Sequence, residues 1–301
     1  MGKRARKTGP VDLPRRTGNA AVMGILTGHA KVAGIIGWPV AHSRSPRLHG
    51  FWLEKHGIDG AYIPLPIEPA RFADTVKGLM HAGFRGANVT IPHKLAAFEV
   101  CDSVDEIAHK AGAVNTMIFK DGQISGTNTD GWGFMANLRG HGVDPKAGPA
   151  LLLGAGGGAR AIAAALMAEG IPVTITNRTP ARAEQFVRDL PGPKIVPWDH
   201  RSAAAADHAL IVNTTALGME GKDPLTLDLS GARPGTAVSD IVYVPLETPL
   251  LLDAKARGLK PVEGLGMLLY QGIPGFHAWF GVEPKVDDDL RRFVAADLLP
   301  K

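Results

Sequence analysis

LLLGAGGGARAIAAALMAEGIPVTITNRT, residues 151–179, is the stretch whose reading decides the fold. Leu151, Leu152 and Leu153 make a short apolar run that stops at Gly154, and glycines follow at 156, 157 and 158. An alanine-rich segment then runs to Gly170, and a largely β-branched run, 173–176, comes next. The order reads strand, tight turn, helix, strand: a βαβ unit. Gly154-x-Gly156-x-x-Ala159 has the dinucleotide spacing. One glycine makes the turn, the next lets the backbone approach a pyrophosphate, and Ala159 permits close packing of helix on strand. A diphosphate would then sit on unpaired N–H groups at the helix N-terminus, where the dipole favours an anion.

The end of the second strand selects between nucleotides. An NAD-binding chain usually places an acid there to accept from the adenosine ribose hydroxyls. This chain has Asn177-Arg178-Thr179, with Arg182 one helical turn on. Guanidinium and hydroxyl groups suit a 2′-phosphate, which an acid would repel, so the expected cofactor is NADP.

Around this unit the chain is long enough, at 301 residues, for two ordinary domains. Its apolar fraction of 45% and charged fraction of 21% are globular. The single cysteine, Cys101, excludes an internal disulfide framework and fits a reducing cytoplasm. The formal net charge of +4 is concentrated at the start, where Lys3, Arg4, Arg6, Lys7, Arg15 and Arg16 face Asp12 alone. A basic tail therefore accounts for the charge, and no nucleic-acid-binding face is needed. Residues 1–28 lack hydrophobic period and are expected to be disordered, with Met23 an alternative start. Arg15-Arg16 ahead of 20–26 faintly resembles a twin-arginine signal, but the apolar part is short and broken, so export is not expected. No run of about 18 apolar residues exists, so no membrane span is expected.

Before the glycine turn, 31–38 reads as a buried strand, 48–56 as a helix and 61–67 as a proline-marked edge strand. Phe72, Val76, Leu79 and Met80 give 69–82 helical spacing; 85–91 is a strand, 104–111 a helix and 113–119 a strand. Alternation of this kind predicts a second α/β sheet ahead of the nucleotide unit. After the turn, 194–196, 210–213 and 237–241 read as parallel strands. Helices are expected over 131–138, over 248–258 with Thr248 as cap and Pro249 at its first turn, over 265–279 and over 286–298.

Three polar stretches occur where strands should hand over to loops: 88–94 (NVTIPHK), 112–116 (GAVNT) and 126–131 (GTNTDG). In open α/β sheets ligands bind outside the carboxyl ends of strands, so Lys94 and Asp130 could face one cleft. In a pocket they would form a proton-transfer pair; on the surface they would form a salt bridge worth little. Spacing alone does not choose. His42, His49 and His93 lie near the same stretches without metal-ligand spacing, and no metal is expected.

Taken together, the motifs resemble one family, the shikimate dehydrogenases, over residues 34 to about 281. Those ahead of the turn are Gly37-x-Pro39-Val40-x-His42-Ser43-x-Ser45-Pro46-x-x-His49, Asn88-Val89-Thr90-x-Pro92-x-Lys94, Ala111-Gly112-Ala113-Val114-Asn115-Thr116 and Gly126-x-Asn128-Thr129-Asp130-Gly131-x-Gly133. Gly154-Ala155-Gly156-Gly157-Gly158-Ala159-Arg160 and Asn177-Arg178-Thr179-x-x-Arg182 follow. Asn213-Thr214-Thr215-x-x-Gly218-Met219, Asp240-x-x-Tyr243-x-Pro245-x-x-Thr248-Pro249-Leu250 and Gly264-x-Gly266-Met267-Leu268-x-x-Gln271 complete the set. Gly50 stands where the family often has asparagine, and Gly158 where alanine is usual.

The resemblance implies reversible, NADP-dependent reduction of 3-dehydroshikimate to shikimate on the way to chorismate and the aromatic amino acids. It implies a discontinuous substrate domain, 29–129 with 266–301, a Rossmann-type NADP domain, 130–265, and a cleft between them. Lys94 would be the general acid/base, paired with Asp130. Ser43 and Ser45 would hold the substrate carboxylate, Thr90, Asn115, Asp130 and Gln271 the ring hydroxyls, and Tyr243 would line the pocket. Gly154, Ala155, Gly156, Gly157 and Gly158 would take the diphosphate, and Asn177, Arg178, Thr179 and Arg182 the adenosine phosphate. Met219, Ile241 and Gly264 would lie along the nicotinamide, with Glu106 a further cofactor contact. A lone Gln271 in an apolar helix would ordinarily be a satisfied core amide, and the resemblance alone makes it a ligand contact. The expected partner is a small molecule, neither nucleic acid nor membrane, and the expected state is a monomer or homodimer. The alternatives are a dehydrogenase acting on quinate as well as shikimate, and a non-catalytic NADPH-binding sensor.

Overall fold

Consecutive residues of the strand Lys31–Gly37 (β1) point to opposite faces of its sheet. Ile35 packs with one apolar cluster and Ile36 with another, so both faces must be covered. The computed structural model describes residues 25–298. The basic segment 1–24, and the disorder expected of it, lies outside the described residues. Within 25–28 Thr27 is tied down, against that expectation: its N–H and hydroxyl donate to the Asp59 carboxylate at 3.2 and 2.5 Å.

After β1 come α1 (Ser45–Lys55), β2 (Gly60–Pro66), α2 (Phe72–His81), β3 (Gly86–Val89), α3 (Lys94–Val100), β4 (Ser103–Val104) and α4 (Glu106–Ala111). β5 (Thr116–Lys120) and β6 (Gln123–Thr127) close the first sheet, whose order is β2-β1-β3-β5-β6-β4. This sheet is mixed. β1 runs parallel to β2 and β3, whereas β5 is antiparallel to both β3 and β6. The hairpin turns on Asp121 and Gly122, both at positive φ (52° and 75°), which matches the right-handed strand twist. α1 starts at Ser45, ahead of the expected 48, because Pro46 is pre-set for a first helical turn.

α5 (Asp130–Gly140) leads to the second sheet, built from β7 (Ala150–Leu153), α6 (Gly157–Ala168), β8 (Val173–Thr176), α7 (Pro180–Asp189) and β9 (Lys194–Ile195). α8 (Arg201–Ala205), β10 (Leu210–Asn213), β11 (Ala237–Asp240), α9 (Pro249–Ala256) and β12 (Lys260–Val262) continue it, and α10 (Leu265–Phe280) and α11 (Asp288–Ala295) end the chain. The order β12-β11-β10-β7-β8-β9 is entirely parallel. From β7 the chain moves first toward β8 and then crosses to β10, so the switch point falls at the glycine turn. Leu151 and Leu153 face one helical layer and Leu152 the other. No described helix is long and apolar enough to cross a membrane.

α10 returns to the first sheet. Leu269, Phe276 and Trp279 join the cluster of Leu48 and Trp52, and the Trp279 indole donates to the Met117 carbonyl at 3.0 Å. α5 is wedged between the halves through two glycines. A Cβ on Gly131 would lie 2.5 Å from Ala161 O of α6, and one on Gly133 2.7 Å from Gln271 Cβ of α10. Only residues without a side chain allow these approaches. They hold the start of α5, and so Asp130, between the two sheets.

Candidate active site

Strand direction brings the polar stretches together. β5 runs antiparallel to β3, so its first residues lie at the carboxyl end of β3; β6 reverses again and ends at the same edge. Lys94 opens α3 after β3, Asn115 precedes β5, and Asp130 opens α5 after β6. The Lys94 ammonium donates to Asp130 Oδ2, and Asn115 Nδ2 donates to Asp130 Oδ1 at 2.7 Å. The lysine and aspartate side chains are 22% and 11% exposed, so the pair is largely but not wholly out of water. The pair is not a solvated surface bridge. Such a pair can offer a proton and a positive charge to an oxygen beside it.

Behind the pair lies a buried polar network. Thr116 Oγ1 donates to Asn115 Oδ1 (2.9 Å), Asn88 Nδ2 donates to Thr116 Oγ1 (3.0 Å), and the Tyr62 hydroxyl donates to Asn88 Oδ1 (2.6 Å). Thr129 donates its N–H to Asn115 Oδ1 at 2.9 Å and its hydroxyl to the Gln271 carbonyl at 2.9 Å. These bonds lock the Asn115 amide so that its N–H₂ faces Asp130. Tyr62, Asn88, Thr116 and Thr129 carry no expected role from the sequence, because nothing in it shows that β2, β3 and β5 are neighbours. The available signal is that Asn88, Thr116 and Thr129 fall in the three polar stretches at strand ends. Gln271 is 7% exposed, and its amide donates to the Leu268 carbonyl at 3.1 Å.

Ser43 and Ser45 lie on the turn between β1 and α1, where the Ser45 N–H donates to Ser43 Oγ at 3.3 Å. Thr90 follows β3 and donates its N–H to the Ile36 carbonyl at 2.8 Å, which puts it against Gly37, just ahead of that turn. Tyr243, from the loop after β11, packs on the apolar cluster of Leu48 and Trp52 in the first half. Burial pushes its pKa up, and the charge of Arg44 pulls it partly back. Lys94, Asn115, Asp130 and Gln271 are thus joined in one hydrogen-bonded group through Thr129, while Thr90 lies against Gly37 beside the serine turn and Tyr243 packs on the cluster of Leu48 and Trp52.

The glycine turn opens the other wall. Gly154 has φ +115°, a conformation that L side chains rarely adopt, and α6 begins at Gly157 after Gly156. A Cβ on Gly156 or Gly157 would meet nothing within 4 Å, so nothing crowds the start of α6, where no side chain caps the first N–H groups. That cradle fits a diphosphate. Ala155 and Gly158 complete it, and a Cβ on Gly158 would lie 3.4 Å from Ile241 Cδ1. Gly264 approaches the Ile241 backbone closely, with a virtual Cβ 2.6 Å from Ile241 O, so these two residues meet across the turn. Asn177 donates to the Thr179 carbonyl at 2.8 Å, and Arg178, Thr179 and Arg182 are exposed at the end of β8. Cationic and hydroxyl groups at that place fit a phosphate on the adenosine side. Met219 is 37% exposed. Glu106 pairs with Lys110 at 2.6 Å, and its side chain is 80% exposed. Among the described residues no cluster of three or more His, Cys, Asp or Glu could hold a metal.

Comparison with known proteins fits this geometry. The family profile described as "Shikimate dehydrogenase substrate binding domain" matches residues 35–117, and the one described as "Shikimate / quinate 5-dehydrogenase" matches 142–218. The chain is 66% identical over 275 residues to a shikimate dehydrogenase (NADP(+)) of Acidiphilium cryptum, covering 91% of this chain and 99% of the relative. It is 53% identical to that of Paracoccus denitrificans, covering 89% and 97%. A crystal structure of shikimate 5-dehydrogenase from Thermus thermophilus, in complex with NADP(H) and shikimate, superposes with a TM-score of 0.81 at 38% identity, over 89% of this chain and 100% of that one.

Proposed function

The chain belongs to the shikimate dehydrogenase family, and from that membership together with the site we infer that it catalyses the reversible, NADP-dependent reduction of 3-dehydroshikimate to shikimate. The observation that carries the reading is the largely buried Lys94–Asp130 pair, with Asn115 holding the aspartate from the other side. Substrate carboxylate goes to the Ser43 and Ser45 hydroxyls, with Tyr243 beside it. Thr90, Asn115, Asp130 and Gln271 take the ring hydroxyls. Residues 154–158 would hold the cofactor's diphosphate, Asn177, Arg178, Thr179 and Arg182 its adenosine phosphate, and Met219, Ile241 and Gly264 its nicotinamide, with Glu106 a further contact.

NADPH, when bound, supplies the hydride to the substrate's carbonyl carbon. Lys94 then has two tasks at the carbonyl oxygen: its positive charge stabilises the developing alkoxide, and its Nζ gives up the proton. Asp130 points the ammonium and accepts from a neighbouring hydroxyl. Asn115 keeps Asp130 from turning away. In the reverse direction Lys94 takes the proton from the hydroxyl.

The division into a substrate domain of 29–129 with 266–301 and an NADP domain of 130–265 is supported by the return of α10 onto the first sheet. The protein works in the cytoplasm as a monomer or homodimer. A single experiment tests the activity: shikimate or quinate crossed with NADP or NAD, followed as the absorbance of the reduced nicotinamide. Shikimate with NADP is the fastest pair, and absence of turnover in all four contradicts the reading.

A further inference from the structure

A second cation stands beside the serine turn and has no task in the chemistry above. Arg44 lies between Ser43 and Ser45 at the N-cap position of α1, whose first turn carries no acid. Its side chain is 13% exposed and is held from the far end of the chain: NH1 donates to Asp297 Oδ1 at 2.7 Å and to the Val294 carbonyl at 3.1 Å, and NH2 to Asp297 Oδ2 at 3.1 Å. Arg47 donates to the same Asp297 Oδ1 at 2.9 Å and lies over the Phe293 ring. Two guanidinium groups therefore share one carboxylate, and positive charge is left over at the start of α1. Arg44 Nε is buried and has no hydrogen-bond partner among the described residues. A charged donor kept this way is costly, and an exposed ion pair returns little stability. The charge of Arg44 is also felt at Tyr243, the hydroxyl that arrives from the other half of the molecule.

Hydroxyl donors bind a carboxylate, an ester or an amide alike; what separates a carboxylate from the other two is charge. We propose that Arg44 is a positioning and specificity-determining residue: a cation clamped behind the Ser43–Ser45 turn by the last turn of the chain, which makes that turn select an ionised acid. Its forked N–H groups are occupied by Asp297, so it acts through space and not by contact. The inference rests on the reading that the two serines receive the substrate carboxylate.

The test compares shikimate with its neutral methyl ester. In Arg44→Gln the KM for the acid rises about tenfold while the ester's KM and both kcat values stay within about twofold, the size expected for one unit charge at a partly buried site. Arg44→Lys restores the preference for the acid. Asp297→Asn keeps an acceptor for Arg44 but removes the compensating negative charge, so the acid-over-ester preference increases about threefold. Because its sign is opposite, this second variant decides the matter even if Arg44→Gln folds poorly. Equal shifts for acid and ester in Arg44→Gln, no shift in it, or a fall or no change in the preference in Asp297→Asn overturns the proposal. Ser43→Ala with Ser45→Ala raises KM for both compounds; failure there removes the serine reading and this inference with it, whereas a rise there with an unmoved ratio in Arg44→Gln removes this inference alone.

Discussion

Lys94 and Asp130 stand 36 positions apart in the chain, yet the ammonium of one donates directly to the carboxylate of the other. The contact exists because β5 and β6 reverse direction twice between them and because α5 starts where two glycines let it lie between α6 and α10. Asp130 is in turn held by Asn115 at 2.7 Å. Its removal should therefore affect orientation more than folding. Asp130→Asn lowers kcat by about 10²-fold or more while the melting temperature moves by only a few degrees. Steady-state rates and a thermal melt of the same preparation check this.

Gly133 is the point where α5 meets α10. A methyl group there would fall 2.7 Å from Gln271 Cβ and 2.8 Å from the Met267 carbonyl, both on a packed helix that cannot yield cheaply. Gly133→Ala destabilises by about 1–3 kcal/mol and, by prising Gln271 from Thr129, raises KM as well. A urea melt with parallel kinetics reads both effects.

Arg178 and Arg182 are exposed after β8, and the proposed function gives them the discrimination between the two nicotinamide cofactors. Arg178→Ala raises KM for NADP by about tenfold or more and leaves that for NAD nearly unchanged, because the charge-assisted bonds it removes serve only the extra phosphate. Equal losses with both cofactors would assign Arg178 to the common part of the nucleotide.

His49 is fully buried, stacked on Tyr62 with ring centroids 3.9 Å apart, and neither ring nitrogen has a hydrogen-bond partner among the described residues. Burial lowers its pKa from 6.5 to about 3. The folded protein thus refuses a proton that the unfolded chain takes up. Stability from the neutral ring is complete above pH 6.5 and drains as the pH falls toward 3, at up to roughly 1 kcal/mol per pH unit. His49→Phe keeps the stack and removes this titration, so its stability falls less than that of the native protein between pH 6.5 and 4.5. Chemical melts at the two pH values measure the difference.

Much of this was legible in residue order. Gly154, Gly156 and Ala159 between an apolar run and an alanine-rich segment describe the turn that the fold places at its switch point. Thr248 with Pro249 marks the start of α9, where the threonine hydroxyl accepts from the Leu251 N–H. The hairpin of β5 and β6 could have been read from Asp121-Gly122, a strong turn signal, but 113–119 also fits a crossover strand and periodicity carries no direction. Of the network from Tyr62 through Asn88 and Thr116 to Asn115, the polar stretches 88–94 and 112–116 were legible but the pairing was not, since it depends on which strands are neighbours. Gln271 shows the same limit: its helix reads as core, and packing against Gly133 is what brings it beside Thr129.

The central claim is that Lys94 handles the proton and the charge at the reacting oxygen, and one variant measures it most directly. Lys94→Ala, assayed with saturating NADP across a range of shikimate concentrations, should lose about 10³-fold in kcat with KM changed less than tenfold, the pattern of a contact used mainly in the transition state. A variant that keeps its kcat and loses only affinity would leave Lys94 as a binding group and contradict the account.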